Sequence, residues 1–432
     1  MRIGAPNTLL TRALLPVVAL LIVASGSAAL SAPAPNVVGP ICGNTSGHQV
    51  CITLPSTTLS GPVPVTMTTS GNKGQFIVNW VPDSGPSTYL MWIFGASGVT
   101  KDYSFTWPTQ KFPDGSGTLQ VVFSKKGSPV VTPELTLSNG GFQPEPNDWQ
   151  NYLPPATFTG STDPIVAAVG DGADDRPSTD KFAKSLVKQK PPLNLFLYLG
   201  DVYEKGSYAE MMDHYGQFGT KKGTGTLWGQ LAYETQPTIG NHESLIDPYM
   251  WQDYWHQRPL WTKFTFGNVL FVDLDSSEPM DSTSQQYADV QSWLSQPGLP
   301  PCIVAEYHIP AVDNGGVNPN SSDMWSLLAT HGVDVVLNGH DHGLAEYPAL
   351  DQNFQPAQPG GPSMVELIDG AGGHDTVHYI DPNAEWVAPY KELGFLKLTL
   401  NGAANGGTPT SLSWDFRSYD GNTILHQGST SC

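Results

Sequence analysis

Clusters of side chains suited to binding metal ions recur between residues 170 and 342: Gly170-Asp171-Gly172, Gly200-Asp201, Gly240-Asn241-His242-Glu243, His308 and Asn338-Gly339-His340-Asp341-His342. Their carboxylate, amide and imidazole donors are of the kind that hold Zn, Fe or Mn. Asp201 has two oxygens and can bridge, and with Asp171, Asn241, His308, His340 and His342 it supplies enough donors for two ions rather than one. A water shared by two such ions would ionise near neutral pH and attack phosphorus in line, while the ions stabilise the leaving and non-bridging oxygens.

Each cluster follows a short apolar run, at 165–169, 195–199, 238–239, 303–307 and 333–337. Donors at the carboxyl ends of neighbouring strands converge on one crevice in α/β sheets. The repeated glycines permit the sharp turn off each strand and leave room for an ion. Helices alternate with these strands. One is expected at 180–188, after Ser178-Thr179 and before Pro191-Pro192, and one after the capping-box pattern Thr283-Ser284-Gln285-Gln286. A third is expected at 322–331, ending at Gly332. Upstream, the runs 63–67, 76–80, 89–94 and 119–123 are short, alternating and separated by turn residues, with Leu119, Val121 and Phe123 on one face. Helical periodicity is absent there, which predicts an all-β sandwich of immunoglobulin or fibronectin type. Residues 140–155 are rich in Gly, Pro and Asn and read as a linker. The expected organisation is a signal peptide over 1–31, a β-sandwich over 32–145, a linker over 146–160 and a catalytic region over 161–432.

A chain of 432 residues is long enough for two ordinary cores. Arg2 and Arg12, the apolar run 13–23 and small residues through Ala34 form a secretory signal, with Ser27-Ala28-Ala29 as a cleavage site and the Ala32 and Ala34 region competing. An uncleaved N-terminal anchor is the alternative, and no other segment reads as a membrane span. Removal of 1–31 takes two arginines and leaves 39 acidic against 18 basic residues, a net −21. So acidic a surface repels polyanions, which excludes nucleic acid held through its phosphates and favours a small phosphorylated substrate met at a metal. Stable membrane insertion is not expected after signal cleavage, and oligomeric state is not readable. An even count of cysteines in an exported chain points to disulfides. Three pairings are possible; Cys42 with Cys51 would close a short loop, and Cys302 with Cys432 would tie the chain end to a central strand.

The five clusters resemble the metallophosphoesterase (calcineurin-like phosphoesterase) superfamily, and their order is most similar to purple acid phosphatases. That pattern has a GDG block, a GDxxY block, GNH followed by an acid, a His after a strand, and GHxH; four of the five occur here in order across 164–343. The flanking runs 266–276 and 394–400 also resemble the family. The resemblance implies an α/β/β/α sandwich and hydrolysis of phosphate monoesters by a metal-bound hydroxide. It implies that Asp171 binds the first ion, Asp201 bridges, Asn241 and His308 bind the second, His340 joins the second and His342 the first. His242 would stand outside the ligand set as a general acid–base group, with Glu243 orienting it or closing a supporting contact. A phosphodiesterase or nucleotide hydrolase is the alternative within the fold.

One position departs from the pattern. The tyrosine expected three residues after the bridging aspartate is replaced by Glu204, and Tyr203 stands one residue early; the histidine that related enzymes carry two residues after the first aspartate is Ala173. Tyr203, Glu204, Asp174 and Asp175 are the candidates to complete the first site, and the metal identity stays open. A secreted binding protein with a degenerate metal fold is the reading that this departure raises. His214, His256, His374 and His378 read as structural or solvent-facing. Trp228, Trp251, Trp255 and Trp261 read as core and rim packing, and Gly370 to Gly373 as a tight turn.

Overall fold

The computed structural model describes residues 37–432 apart from 72–73, 96–99, 124–125, 175, 217–227, 314, 376–383 and 389–391. The signal-peptide reading, Asp175 and His378 therefore lie outside the described residues.

An all-β region comes first. Strands Val38–Thr45, His48–Leu54, Pro62–Ser70 and Lys101–Pro108 form an antiparallel sheet. A second sheet orders Thr58–Leu59, Leu135–Leu137, Gly115–Phe123, Gly74–Pro82 and Thr88–Gly95, with Lys126–Val131 paired to Gly115–Phe123. Val63, Val65 and Met67 are buried while Pro62, Pro64 and Thr66 are exposed, so alternate side chains enter the core. There they meet Phe76, Val78, Trp80, Leu119 and Val121 of the other sheet. The Cys42–Cys51 disulfide joins directly paired residues of the first two strands.

From Ile165 onward two further sheets are stacked. The first orders Thr235–Pro237, Leu195–Tyr198, Ile165–Val169, Gly394–Asn401, Ser411–Ser418 and Ile424–Ser431. The second orders Thr262–Phe266, Val269–Asp273, Cys302–Glu306, Val335–Asn338, Val365–Asp369, Leu344–Glu346 and Trp386–Val387. Val166, Ala168 and Leu197 of the first sheet share one core with Phe271, Val304 and Leu337 of the second. Their neighbours Ala167, Val169 and Phe196 turn to the other face, under Phe182, Met211, Trp228, Trp251 and Trp255. Ile303, Ala305 and Val336 are likewise covered by Val290, Trp325 and Leu328 from helices Gln285–Leu294 and Ser322–Thr330. These layers make the α/β/β/α sandwich, and Cys302–Cys432 ties the central strand Cys302–Glu306 to the chain end.

Helix starts differ from the sequence expectation in two places. The helix Pro177–Val187 begins before Ser178-Thr179, because Pro177 has the backbone angle of a first helical residue already set. Ser284 alone caps Gln285–Leu294, accepting from the Tyr287 N–H; the third helical position is Tyr287, which has no amide or carboxyl group to complete a box. The segment expected to be a linker holds a short turn, Trp149–Tyr152, and is fastened to its surroundings. The Glu145 N–H donates to Asp253 at 2.7 Å, and the buried Lys111 ammonium lies 2.8 Å from Glu145 and 2.9 Å from Asp253.

Glu366, fully buried, accepts from the Ala311 and Val312 N–H groups at 2.7 and 3.1 Å and so holds the turn that follows His308. Burial pushes its carboxyl up to about 8, against the pull of those N–H groups. Burial likewise raises Asp275 to about 7 and Asp334 to about 6. The folded chain binds these protons more tightly than the unfolded chain. Their contribution to stability is therefore whole below the ordinary carboxylate range and is lost as pH rises through 6 to 8. Chelator-treated protein is expected to melt at a higher temperature at acid than at mildly alkaline pH, and Glu366→Gln to flatten that dependence in thermal unfolding.

Candidate metal centre

Strands Ile165–Val169, Leu195–Tyr198 and Thr235–Pro237 run parallel and end in Asp171, Asp201 and Asn241. In the opposite sheet Cys302–Glu306 and Val335–Asn338 are also parallel and end in His308 and His340. The two sets of carboxyl ends meet along one ridge of the sandwich. His308 Nδ1 donates to the Leu199 carbonyl at 2.7 Å, and the His340 N–H donates to Asp171 Oδ2 at 2.8 Å. The first bond fixes the tautomer and turns His308 Nε2 toward the carboxylates.

Asp201 stands at the centre. Its Oδ2 is 3.2 Å from His308 Nε2, which is 3.1 Å from Asn241 Oδ1 and 3.3 Å from His340 Nδ1. Donor atoms of Asp201, His308 and His340 all lie within 4.8 Å of one another. On the other side of Asp201, His342 Nε2 is 3.2 Å from Asp171 Oδ1. All six residues singled out as ligands thus gather around one carboxylate in two groups. Asp171, Asp201 and His340 have φ of 60°, 63° and 69°, left-handed angles that cost roughly 1–3 kcal/mol each for a side-chain-bearing residue.

Among the described candidates for the position that the sequence leaves open, Tyr203 comes up against the first group of donors. Its hydroxyl donates to Asp171 Oδ1 at 2.6 Å and lies 3.2 Å from Asp201 Oδ2 and 2.9 Å from His342 Nε2. The phenol thus reaches the first group of donors although it stands one residue early. Asp174 and Glu204 instead face the His374 ring, at 2.7 Å from Nδ1 and 3.6 Å from Nε2 respectively.

His242 points its Nε2 to within 3.9 Å of Asp201 Oδ2, and its other nitrogen bonds to the Glu204 carbonyl. The ring is 30% exposed, so it borders the open side of the site. Glu243 does not orient His242. It is buried and accepts from the N–H groups of Asp201, Val202 and Gly240, which holds the turn that presents Asp201. Two features were missed as neighbours of the centre: His374 is buried against Tyr203, and Gly370 and Gly372 pack on the donor-bearing loops. The glycine run was the available signal, because close backbone approach is one reason for such a run.

Several of these groups hold their protons tightly. Burial disfavours the charged forms of both Asp201 and His308, but their mutual attraction wins: the Asp201 carboxyl is held below the usual carboxylate range and the imidazole is held up at about 10. Burial and the Asp171 charge raise the Tyr203 phenol well above its ordinary value. Burial raises Glu243 to about 8, helped by Asp201. A metal ion would have to displace these protons from its ligands, and its own field would reverse the balances.

Gly240 gives the packing a direct check. A β-carbon there would clash with the Asp201 nitrogen and with its carboxylate oxygen. Gly240→Ala is expected to lose about 1–3 kcal/mol in urea unfolding through overpacking, and to lower metal retention on dialysis.

Residues 147–344 match the calcineurin-like phosphoesterase family. A purple acid phosphatase from yellow lupin (Lupinus luteus) seeds has a similar fold: TM-score 0.52 at 12% identity, over 90% of this chain and 80% of that one. GAP50, the anchor in the inner membrane complex of Plasmodium, aligns at TM-score 0.47 and 14% identity, over 62% of this chain and 89% of its own. PhoD aligns at TM-score 0.42 and 10% identity, over 91% and 88%. No curated protein matches the sequence.

Proposed function

We propose that this chain, whose residues 147–344 match the calcineurin-like phosphoesterase family, is an exported dinuclear-metal phosphatase acting on small phosphate monoesters. The observation that carries this reading is the arrangement of donors on both sides of Asp201. Asp171, Tyr203 and His342 would hold one ion, Asn241, His308 and His340 the other, with Asp201 between them. When bound, the pair supplies Lewis acidity for the phosphoryl oxygens and for an attacking water.

The protein groups have separable tasks. Leu199 and Glu243 keep His308 and Asp201 in place through the bonds described. His242 faces the open side, with Nδ1 tied to the Glu204 carbonyl, so Nε2 is the atom available to a phosphoryl oxygen or a leaving oxygen. The acidic chain, net −19 as a whole, disfavours long polyanions and supports a small substrate. The phenol of Tyr203 supports a complete first site and speaks against a degenerate one. Export is supported by the signal-like segment over 1–31 and the two disulfides. Among the described residues no helix is long and apolar enough to cross a membrane. We further propose the boundaries 32–145, 146–160 and 161–432 for the β-region, its connection and the catalytic region.

Elemental analysis is expected to find two ions per chain, drawn from Fe, Zn and Mn, together with turnover of p-nitrophenyl phosphate. Absence of both would remove the proposal, and a preference for bis(p-nitrophenyl) phosphate would move it to diesters. Asp201→Asn is expected to lose metal and roughly 10³-fold or more in kcat/KM, beyond the 10–100-fold typical of an outer metal partner. His242→Ala should keep both ions and lose about 10²–10⁴-fold in kcat, the range for a general acid–base group.

A further inference from the structure

The loop that carries His374 is locked to the loop that carries Asp171. The Gly372 N–H donates to the Gly170 carbonyl at 3.1 Å and the His374 N–H to the Asp171 carbonyl at 3.0 Å. A β-carbon on Gly372 would meet the Gly170 carbonyl, so the glycine is what lets the two backbones approach. The imidazole is fixed in turn. Its Nδ1 donates to Asp174 Oδ2 at 2.7 Å, and Asp174 Oδ1 accepts from the Arg176 N–H at 2.6 Å and from Thr179 Oγ1 at 3.2 Å. Rotating the ring would break a buried bond to an otherwise engaged carboxylate.

So held, His374 lies flat on Tyr203, with ring centroids 3.4 Å apart and planes 8° from parallel. His242 meets another part of the phenol edge-on at 4.7 Å and 71°. The Tyr203 backbone is bonded through its N–H to the Ala173 carbonyl and through its own carbonyl to His214. These bonds place the residue but not its ring, whose direction is set by what lies against its faces and by the bonds of its hydroxyl. Because this tyrosine comes from an unusual place in the sequence, its approach to Asp171 needs such a guide.

We infer that His374, held by Asp174, is a positioning residue that keeps the Tyr203 phenol aimed at the Asp171–His342 side of the metal centre. The inference rests on the proposed metal site. His374 is 7% exposed, against 30% for the His242 side chain, which suits it to serve the ligand rather than the substrate.

The test uses His374→Ala, which removes the ring, and His374→Phe, which keeps an aromatic face but not the bond to Asp174. In full-length metal-free protein, nitration of Tyr203 by tetranitromethane is followed by peptide mapping. His374→Ala is expected to speed it roughly two- to tenfold, the factor that corresponds to one aromatic pair, and His374→Phe to restore most of the protection. In iron(III)-loaded protein, the visible absorption that Tyr203→Phe abolishes should weaken per bound iron in His374→Ala and return in His374→Phe. Wild-type nitration and wild-type absorption in His374→Ala would overturn the inference. If iron-loaded wild type shows no absorption that depends on Tyr203, the metal-site reading of that phenol fails. The nitration series then still decides whether His374 holds the ring, and equal rates in all variants would reject that too.

Discussion

The carbonyl of Leu199 is the point on which the ridge between the two sheets depends. It ends a strand of one sheet and accepts the Nδ1 proton of His308, which ends a strand of the other. A β-carbon on Gly339 would stand 2.7 Å from that same oxygen. Two sheets stacked by apolar side chains sit about 10 Å apart, too far for the donors of one to touch those of the other unless their ends lean together. Glycine supplies the missing space, and the imidazole–carbonyl bond sets the distance. Once that contact exists, Asp201 can face His308, and the His340 N–H can reach Asp171.

The same closeness explains why several residues keep unfavourable backbone angles. Asp171, Asp201 and His340 all turn through the left-handed region directly after a strand. Each is compensated by a bond made only in that turn: the Asp171 carboxylate receives the His340 N–H, and the N–H of Asp201 goes to the buried Glu243. Strain and charge are thus concentrated at one place and supported from behind by groups that do not themselves face the open side.

Much of this was legible in the order of residues. Alternation in 63–67 and 119–123 marks half-buried strands because a sheet residue faces in or out by parity. The donor clusters after apolar runs mark strand ends because glycine and polar side chains cannot continue a buried strand. Beyond sequence spacing lay whatever depended on contacts between distant segments. Tyr203 reaches Asp171 by the path of its turn, which a count of residues after Asp201 does not give. His374 has no local pattern that separates it from a surface histidine; its place follows from the pairing of 370–374 with 170–171. Glu243 follows a histidine in the sequence, yet its carboxylate closes back on the turn at Asp201. The helix starts three residues before Asp180 because Pro177 already has the backbone angle of a first helical position, a signal separate from the capping tendency of Ser178 and Thr179.

Lys111 belongs to the β-region, but its ammonium is buried between Glu145 and Asp253, and its exposure is 1%. An ion taken from water at such a boundary can be neutral in cost only while its counter-ions remain in place. Separating the regions would break both ion pairs, so the boundary is fastened by side chains from each region. The connection between them is thus a packed, ion-paired boundary rather than a loose tether.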